Sequence, residues 1–190
     1  MVKKEKAKDK LFETASRLFF HYGYQSIGVD TIAEASGISK MTLYRNYGSK
    51  DDLIEAYLRH SDKDFWMYFE QSIAEEDHPK EKIIAFFRFL ENYTKSPSCY
   101  GCPFLNIVSE FPDPDYIGHQ IAIEHKKSVA NRFKVMAETL GVSEPQSLAN
   151  GLLLLMDGAY IAARLYRMDE RNPVQNLVQN VVLLLDSYLN

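Results

Sequence analysis

The 190-residue chain predicts an all-α fold of about nine helices, with a small N-terminal three-helix unit containing a helix-turn-helix and a larger helical body behind it. Three observations predict this. Apolar residues recur at three- and four-residue spacing through nearly the whole chain. Ser, Asn, Pro or Gly bounds these segments at positions suited to helix ends. No run alternates apolar and polar residues over the length of a strand.

The first helix spans about residues 6–22, with Leu11, Ala15, Leu18, Phe19 and Tyr22 on one face and Gly23 as its stop. The second covers about 29–36, with Gly28 as N-cap, Ile27 and Ile32 spaced as a hydrophobic staple, and Gly37 ending it. The third covers about 40–47, capped by Ser39, with Ile38 and Leu43 repeating the staple. Ser49 and Asp52 form a capping box for the fourth, which is expected to reach about residue 76. Proline opens the next two, about 79–95 and 103–111. A Pro112-Asp113-Pro114-Asp115 turn leads to a long helix over about 116–140, striped by Ile117, Ile121, Val129, Phe133, Met136 and Leu140 and stopped by Gly141. Ser143 and Asn172 are expected to cap the last two, about 144–167 and 173–189. The domain boundary is expected near residue 50, giving 1–50 and 51–190.

Net charge is −4, yet the charge is unevenly placed. Residues 1–50 carry nine Lys/Arg against five Asp/Glu, whereas residues 51–190 carry thirteen against twenty-one. Lys3, Lys4, Lys6, Lys8 and Lys10 contribute most of the basic end. That end suits phosphate and the acidic body does not, although a solvated Lys-rich tail has the same composition. No apolar core follows the lysines, so a cytoplasmic protein is expected. The apolar stretch 151–163 is interrupted by Asp157 and is too short to span a bilayer, so no membrane partner is expected. Two cysteines without a secretion signal suit a reducing compartment.

The last two segments are apolar on more than one side. Leu148, Leu152, Leu155 and Ala159 line one face of the first, and Leu177, Val181, Leu184 and Tyr188 belong to the apolar cover of the second. A single stripe suffices for a surface helix of a monomer. We therefore expect these eight residues at a two-fold homodimer interface of four helices. A hairpin buried in the chain's own core has the same pattern.

The stretch GYQSIGVDTIAEASGISKMTLYRNYGSKDDL, residues 23–53, carries the functional signal. Between Ser39 and Lys50 there is no acidic residue. Ile38 and Leu43 can hold the third helix in place, which turns Lys40, Met41, Thr42, Arg45 and Asn46 outward. Lys40 can donate to guanine, Thr42 can meet a thymine methyl or a phosphate, and Asn46 can both donate and accept. Tyr44 can give its hydroxyl to a phosphate. Lys50 adds an ammonium to the free N–H groups of a helix start. Ser39, Lys40, Met41, Thr42, Tyr44, Arg45, Asn46 and Lys50 are thus the expected contacts with double-stranded operator DNA. Two such heads on a two-fold axis can reach successive major grooves about 34–36 Å apart.

This stretch resembles the DNA-binding domain of the TetR family of transcriptional regulators. The resemblance rests on Gly23-Tyr24, Ile32-Ala33, Gly37-Ile38-Ser39-Lys40, Thr42-Leu43-Tyr44, Tyr47, Ser49-Lys50 and Leu53, about the first quarter of the chain. It implies a DNA-binding head on a ligand-binding and dimerising body, and a repressor released from its operator by a small molecule. It also singles out Thr42 and Tyr44 as DNA contacts, with Lys50 on phosphate and Lys40, Met41 and Asn46 setting operator choice. Gly28 departs from the usual Ser/Thr cap, Tyr47 from Phe, and Met41 from a small residue.

In the body, Trp66, Phe87, Phe104, Met156 and Tyr160 are the expected lining of a mostly apolar effector pocket, against the alternative of plain core packing. Cys99-Tyr100-Gly101-Cys102-Pro103 is the one reactive-looking segment. Cys102 stands at the N-cap of the helix opened by Pro103, where free N–H groups favour a thiolate, and Cys99 is close enough to resolve it. The pair is read as a sensor of oxidants or electrophiles, against a structural role. The five histidines have no metal-ligand spacing, and no GxSxG, P-loop or GxGxxG occurs. The expectation is a non-enzymatic regulator that needs no cofactor. The rival class is a helical module that binds a protein through its first three helices.

Overall fold

The computed structural model describes residues 2–167 and 169–189, the side chains of residues 2–5 excepted. All regular structure among the described residues is helical. The order is α1 (Val2–Tyr22), α2 (Val29–Ser36), α3 (Lys40–Tyr47), α4 (Lys50–Ile73), α5 (Pro79–Thr94), α6 (Pro103–Glu110), α7 (Ile117–Thr139), α8 (Pro145–Tyr166) and α9 (Leu177–Leu189). A 3-10 turn, Pro173–Asn176, leads into α9.

The chain divides into two compact units. One comprises Met1–Asp62 with Pro103–Ala122, and the other comprises Lys63–Cys102 with Ile123–Asn190. The N-terminal helices therefore share a unit with α6 and the start of α7. In this first unit Leu11, Ala15, Leu18 and Phe19 of α1 are buried with Ile32 of α2, Leu43 of α3 and Leu53, Ile54 and Leu58 of α4. Phe19, Tyr24 and Tyr57 form an aromatic trio with centroids 5.5–6.0 Å apart.

A carboxylate fixes the loop that enters α2. Glu110 accepts the Tyr24 N–H at 2.8 Å and the Gln25 N–H at 2.7 Å on the same oxygen. The Gln25 amide donates to the Glu110 carbonyl, and the Tyr24 hydroxyl donates to the Pro103 carbonyl at 3.0 Å. Both ends of α6 are thus tied to one loop. Gly23 has φ +86°, and a Cβ there would sit 2.5 Å from Glu110 Oε1. Glycine is required by backbone conformation and by space together.

The second unit packs around Phe69, Phe86, Phe87 and Phe133, all at most 2% exposed. Phe69 and Phe86 meet at 4.5 Å, and Phe87 stacks on Phe133 at 5.7 Å. α8 is long and apolar enough to cross a membrane by length and composition alone. Its Leu148, Leu152, Met156 and Ala159 enter this core with Leu177, Val181 and Leu185 of α9.

Three helix ends differ from the sequence reading. α4 stops at Ile73, not near residue 76. The cap of α8 is Glu144, not Ser143, and its side chain makes no capping bond. Pro145 occupies the first helical position, where its missing N–H would have had no partner within the helix. Finally, the segment at 173–189 opens as the 3-10 turn, where Asn172 accepts the Val174 N–H at 3.1 Å. One donor at the true start of α9, the Val178 N–H, goes to the Glu91 carboxylate at 2.9 Å.

The expected dimer face also needs correction. Leu148, Leu152 and Val181 are 0% exposed, and Ala159 and Leu177 are each 4% exposed, all spent on the chain's own core. They have no surface left for a partner. Leu155, Leu184 and Tyr188 are half-buried against the same core. A Cβ on Gly151 would lie 3.0 Å from Leu184, and Tyr188 shares a hydrogen bond with Ser147 at 2.7 Å. The large apolar residues left exposed are Leu154, Ile161, Leu165 and Tyr166 on α8 and Leu183 and Leu189 on α9. Positions 154, 158, 161 and 165 fall on one stripe. Gly158 lies at its middle, exposed and with open space where a Cβ would be.

Replacing Gly23 by Ala is expected to destabilise the protein by about 2 kcal/mol, from the strained φ and the displaced Glu110. Urea denaturation followed by circular dichroism measures this; a midpoint matching wild type would refute the tight fit.

Candidate nucleic-acid interface

The turn between α2 and α3 is built from local hydrogen bonds. Gly37 adopts φ +65°, its N–H reaching the Glu34 carbonyl at 3.1 Å while the Ile38 N–H reaches Ala33 at 3.1 Å. This pairing closes α2 and turns the chain within two residues. The Ser36 hydroxyl, 1% exposed, donates to Ala33 O and accepts the Ile38 N–H. Ser39 then caps α3, its hydroxyl oxygen accepting the Thr42 N–H at 3.3 Å and meeting the Thr42 hydroxyl at 3.0 Å. Gly28 caps α2 in extended conformation without a side-chain bond, as expected for a residue with no hydroxyl.

Leu43 is 0% exposed and anchors α3 in the first unit. Eight residues at 1.5 Å rise make a rod about 12 Å long, matched to the width of a major groove. Met41 is 81% and Tyr44 49% exposed, and Lys40 and Arg45 are exposed beside them. Thr42 and Asn46 are half-buried. The Asn46 amide donates to the Thr42 carbonyl at 2.7 Å, which leaves its carbonyl oxygen and second N–H for other work. Ser39 is exposed at the head of the helix.

Lys40 is ion-paired with Asp30 in the first turn of α2. Asp30 sets an acidic charge beside the first cation of α3, although residues 39–50 themselves contain none. Both side chains are more than half exposed, so the pair adds little to stability. Its relevance is competition: Asp30 draws on the same ammonium charge that any other acceptor for Lys40 would use.

The α3–α4 junction repeats the capping logic. The Ser49 N–H reaches Asp52 at 3.1 Å and the Asp52 N–H reaches Ser49 at 3.0 Å, which is the predicted capping box. Lys50 is half-buried at the first position of α4. Burial lowers its ammonium pKa, and the carboxylates of Asp51 and Glu110 oppose that shift. A phosphate arriving there adds a further negative neighbour and favours the charged form. Tyr47 turns inward, its hydroxyl donating to the Lys8 carbonyl at 3.3 Å and its ring lying 5.7 Å from the Lys8 ammonium. Burial raises its pKa. Lys6, Lys8 and Lys10 lie on α1; the side chains of Lys3 and Lys4 fall outside the described residues.

The expected effector residues fall in both units. Phe87 and Met156 are fully buried in the second unit's core, with Trp66 and Tyr160 packed against it. Trp66 meets Phe65 edge-on at 5.3 Å, and Tyr160 meets Tyr93 at 6.4 Å. Phe104, 2% exposed, belongs to the first unit. Cys99 and Cys102 are buried and not disulfide-bonded.

Residues 11–57, from α1 into α4, match the family of bacterial regulatory proteins described as the tetR family. Over 178 residues the chain is 25% identical to the HTH-type transcriptional repressor ComR of Escherichia coli, covering 86% of this chain and 85% of that one. A TetR-family transcriptional regulator from Streptomyces coelicolor has a similar structure, with TM-score 0.92 at 27% identity over 98% of this chain and 97% of that one. A TetR-type regulator from Streptomyces avermitilis matches with TM-score 0.86 at 29% identity, covering 96% and 97%. With this capped α2–α3 turn, residues 11–57 are a TetR-family helix-turn-helix, and the whole chain has the all-helical architecture of TetR-family transcriptional regulators.

Proposed function

We propose that this regulator is a cytoplasmic repressor that binds a near-palindromic operator as a homodimer and is released by a small molecule. The observation that carries the DNA reading is α3 itself, anchored by Leu43 and presenting Lys40, Met41, Tyr44 and Arg45 to the outside. Lys40, Met41, Thr42 and Asn46 read base edges, Ser39 and Tyr44 sit at the backbone, and Lys50 takes a phosphate at the start of α4. The head is assigned to residues 1–50, and effector binding and dimerisation to residues 51–190. Repression is supported by the name of the Escherichia coli relative.

The dimer is assigned to the outward stripe Leu154, Gly158, Ile161 and Leu165 of α8, with Leu183 of α9. These residues are exposed in the single chain, and the glycine lets a second helix approach closely. The effector is placed in the second unit around Trp66, Tyr93 and Tyr160, which are half-buried at the edge of its core.

Selection of bound duplexes from a random pool tests the assignment and yields half-site and spacing together. Tyr44→Phe or Thr42→Ala is expected to weaken operator binding about ten-fold. Lys50→Ala is expected to weaken all sequences alike and to lower the slope of log affinity against log salt by about 0.9. Unchanged anisotropy titrations for all three variants would overturn the interface.

Asp30→Asn frees Lys40 from its ion pair. It is expected to tighten binding to random duplex by a larger factor than binding to the selected operator, because the operator already supplies the replacement acceptor. Equal tightening on both would remove Asp30 from any role in discrimination.

Leu154→Glu with Leu165→Glu is expected to yield a folded monomer by analytical ultracentrifugation, with helical content retained. A dimer persisting in that variant would sink the assignment of the stripe.

A further inference from the structure

The loop between α5 and α6 gathers both cysteines with ionisable groups from three helices of the second unit. Cys102 Sγ lies 3.8 Å from the Lys126 ammonium of α7, which is also ion-paired to Asp157 of α8. Cys99 lies near the Gly101 N–H and within the field of Arg167, whose guanidinium stands 4.9 Å over the Tyr100 ring. Tyr93 and Tyr160 meet edge-on at 6.4 Å, and burial first, then the nearby sulfur sites, push both phenols up. The sulfurs sit in residues only 3% and 4% exposed. Two thiols three positions apart, one of them beside an ammonium, are more than core packing requires.

We propose that Cys99 and Cys102 form a two-electron thiol switch for a small peroxide, with Cys102 as the attacking sulfur and Cys99 as the resolving one. The proposal rests on the regulator reading and names the chemical class of its signal. Lys126 stabilises negative charge on the Cys102 sulfur, making it the better nucleophile. That sulfur attacks one peroxide oxygen, the O–O bond breaks, and Cys102 becomes a sulfenic acid while the departing oxygen leaves as water after taking the thiol proton. The Cys99 sulfur then displaces the sulfenic hydroxyl, an S–S bond forms, and the second water carries off the Cys99 proton. Two thiols lose two hydrogens, and one peroxide is reduced to two waters. Burial pushes the Cys99 thiol up, which keeps it protonated until Cys102 has reacted. The same burial favours a small oxidant over a bulky alkylating agent.

Transmission follows the chain. Cys102 is bonded to Pro103, the first residue of α6, and the Pro103 carbonyl holds the Tyr24 hydroxyl at the entry to α2. Glu110 at the other end of α6 holds the Tyr24 and Gln25 N–H groups. A disulfide across residues 99–102 must reshape a turn in which Gly101 has φ +93°, and thereby the start of α6.

The test uses the full chain, hydrogen peroxide and the selected operator duplex. Wild type is expected to lose two hydrogens by intact mass, to show a Cys99–Cys102 link by peptide mapping, and to lose DNA affinity about ten-fold, reversibly with dithiothreitol. Cys99→Ser is expected to stop at a dimedone-trappable sulfenic acid on Cys102, and Lys126→Met to react more slowly. Normal DNA binding with no mass change, or with a mass change but unaltered affinity, overturns the switch and leaves the regulator reading standing. Failure to bind any duplex overturns the regulator reading, and this proposal with it. If Cys99→Ser does not fold, the wild-type mass and affinity measurements decide alone.

Discussion

The helix-turn-helix depends on a carboxylate that is remote from it in sequence. Glu110 collects two adjacent backbone N–H groups of the loop before α2, and the Tyr24 hydroxyl answers at the other end of α6. Charge-assisted bonds of this kind are shorter and stronger than neutral ones, and two donors on one oxygen define direction as well as distance. The loop could not otherwise turn so sharply: Gly23 is at positive φ and has no room for a side chain. Everything downstream, from the staple of Ile27 and Ile32 to the exit of α3, inherits its orientation from that loop.

Inside the head, electrostatics are arranged more finely than net charge suggests. An acidic protein presents a helix free of carboxylates, then places one carboxylate, Asp30, against the first cation of that helix. Farther along, Lys50 sits half-buried between a helix N-terminus and two acids that oppose its loss of charge. The cations are therefore held by weak local partners. Their positions are pre-set, while their charge remains available to a stronger anion.

Much of the head was legible because its determinants are local. Gly37, Ser39 and the Ser49–Asp52 pair each act within a few residues, and the structure uses them as their spacing implies. What escaped the sequence is long-range or directional. Nothing in a single chain links Glu110 to Tyr24 across 86 positions. The apolar cover of α8 and α9 was plain, but periodicity does not say which of two apolar faces turns inward. The face of Leu148, Leu152 and Val181 fits a partner or the chain's own core equally well by pattern, and it is the core. Ser143 failed as a cap because Pro145, two residues on, already defines the start of α8. Capping rules read a preference without weighing such competitors.

Gly158 has a consequence for how this protein holds its shape. A glycine within a helix costs about 1 kcal/mol relative to alanine, and most such residues are explained by something pressed against them. Gly151 has Leu184 against it, whereas Gly158 has nothing within 4 Å. The isolated chain thus carries a local deficit that its own packing does not offset. If the missing neighbour is a second copy, folding and association become one linked equilibrium. Resistance to heat would then rise with protein concentration, and scarcity itself would act as a destabilising condition.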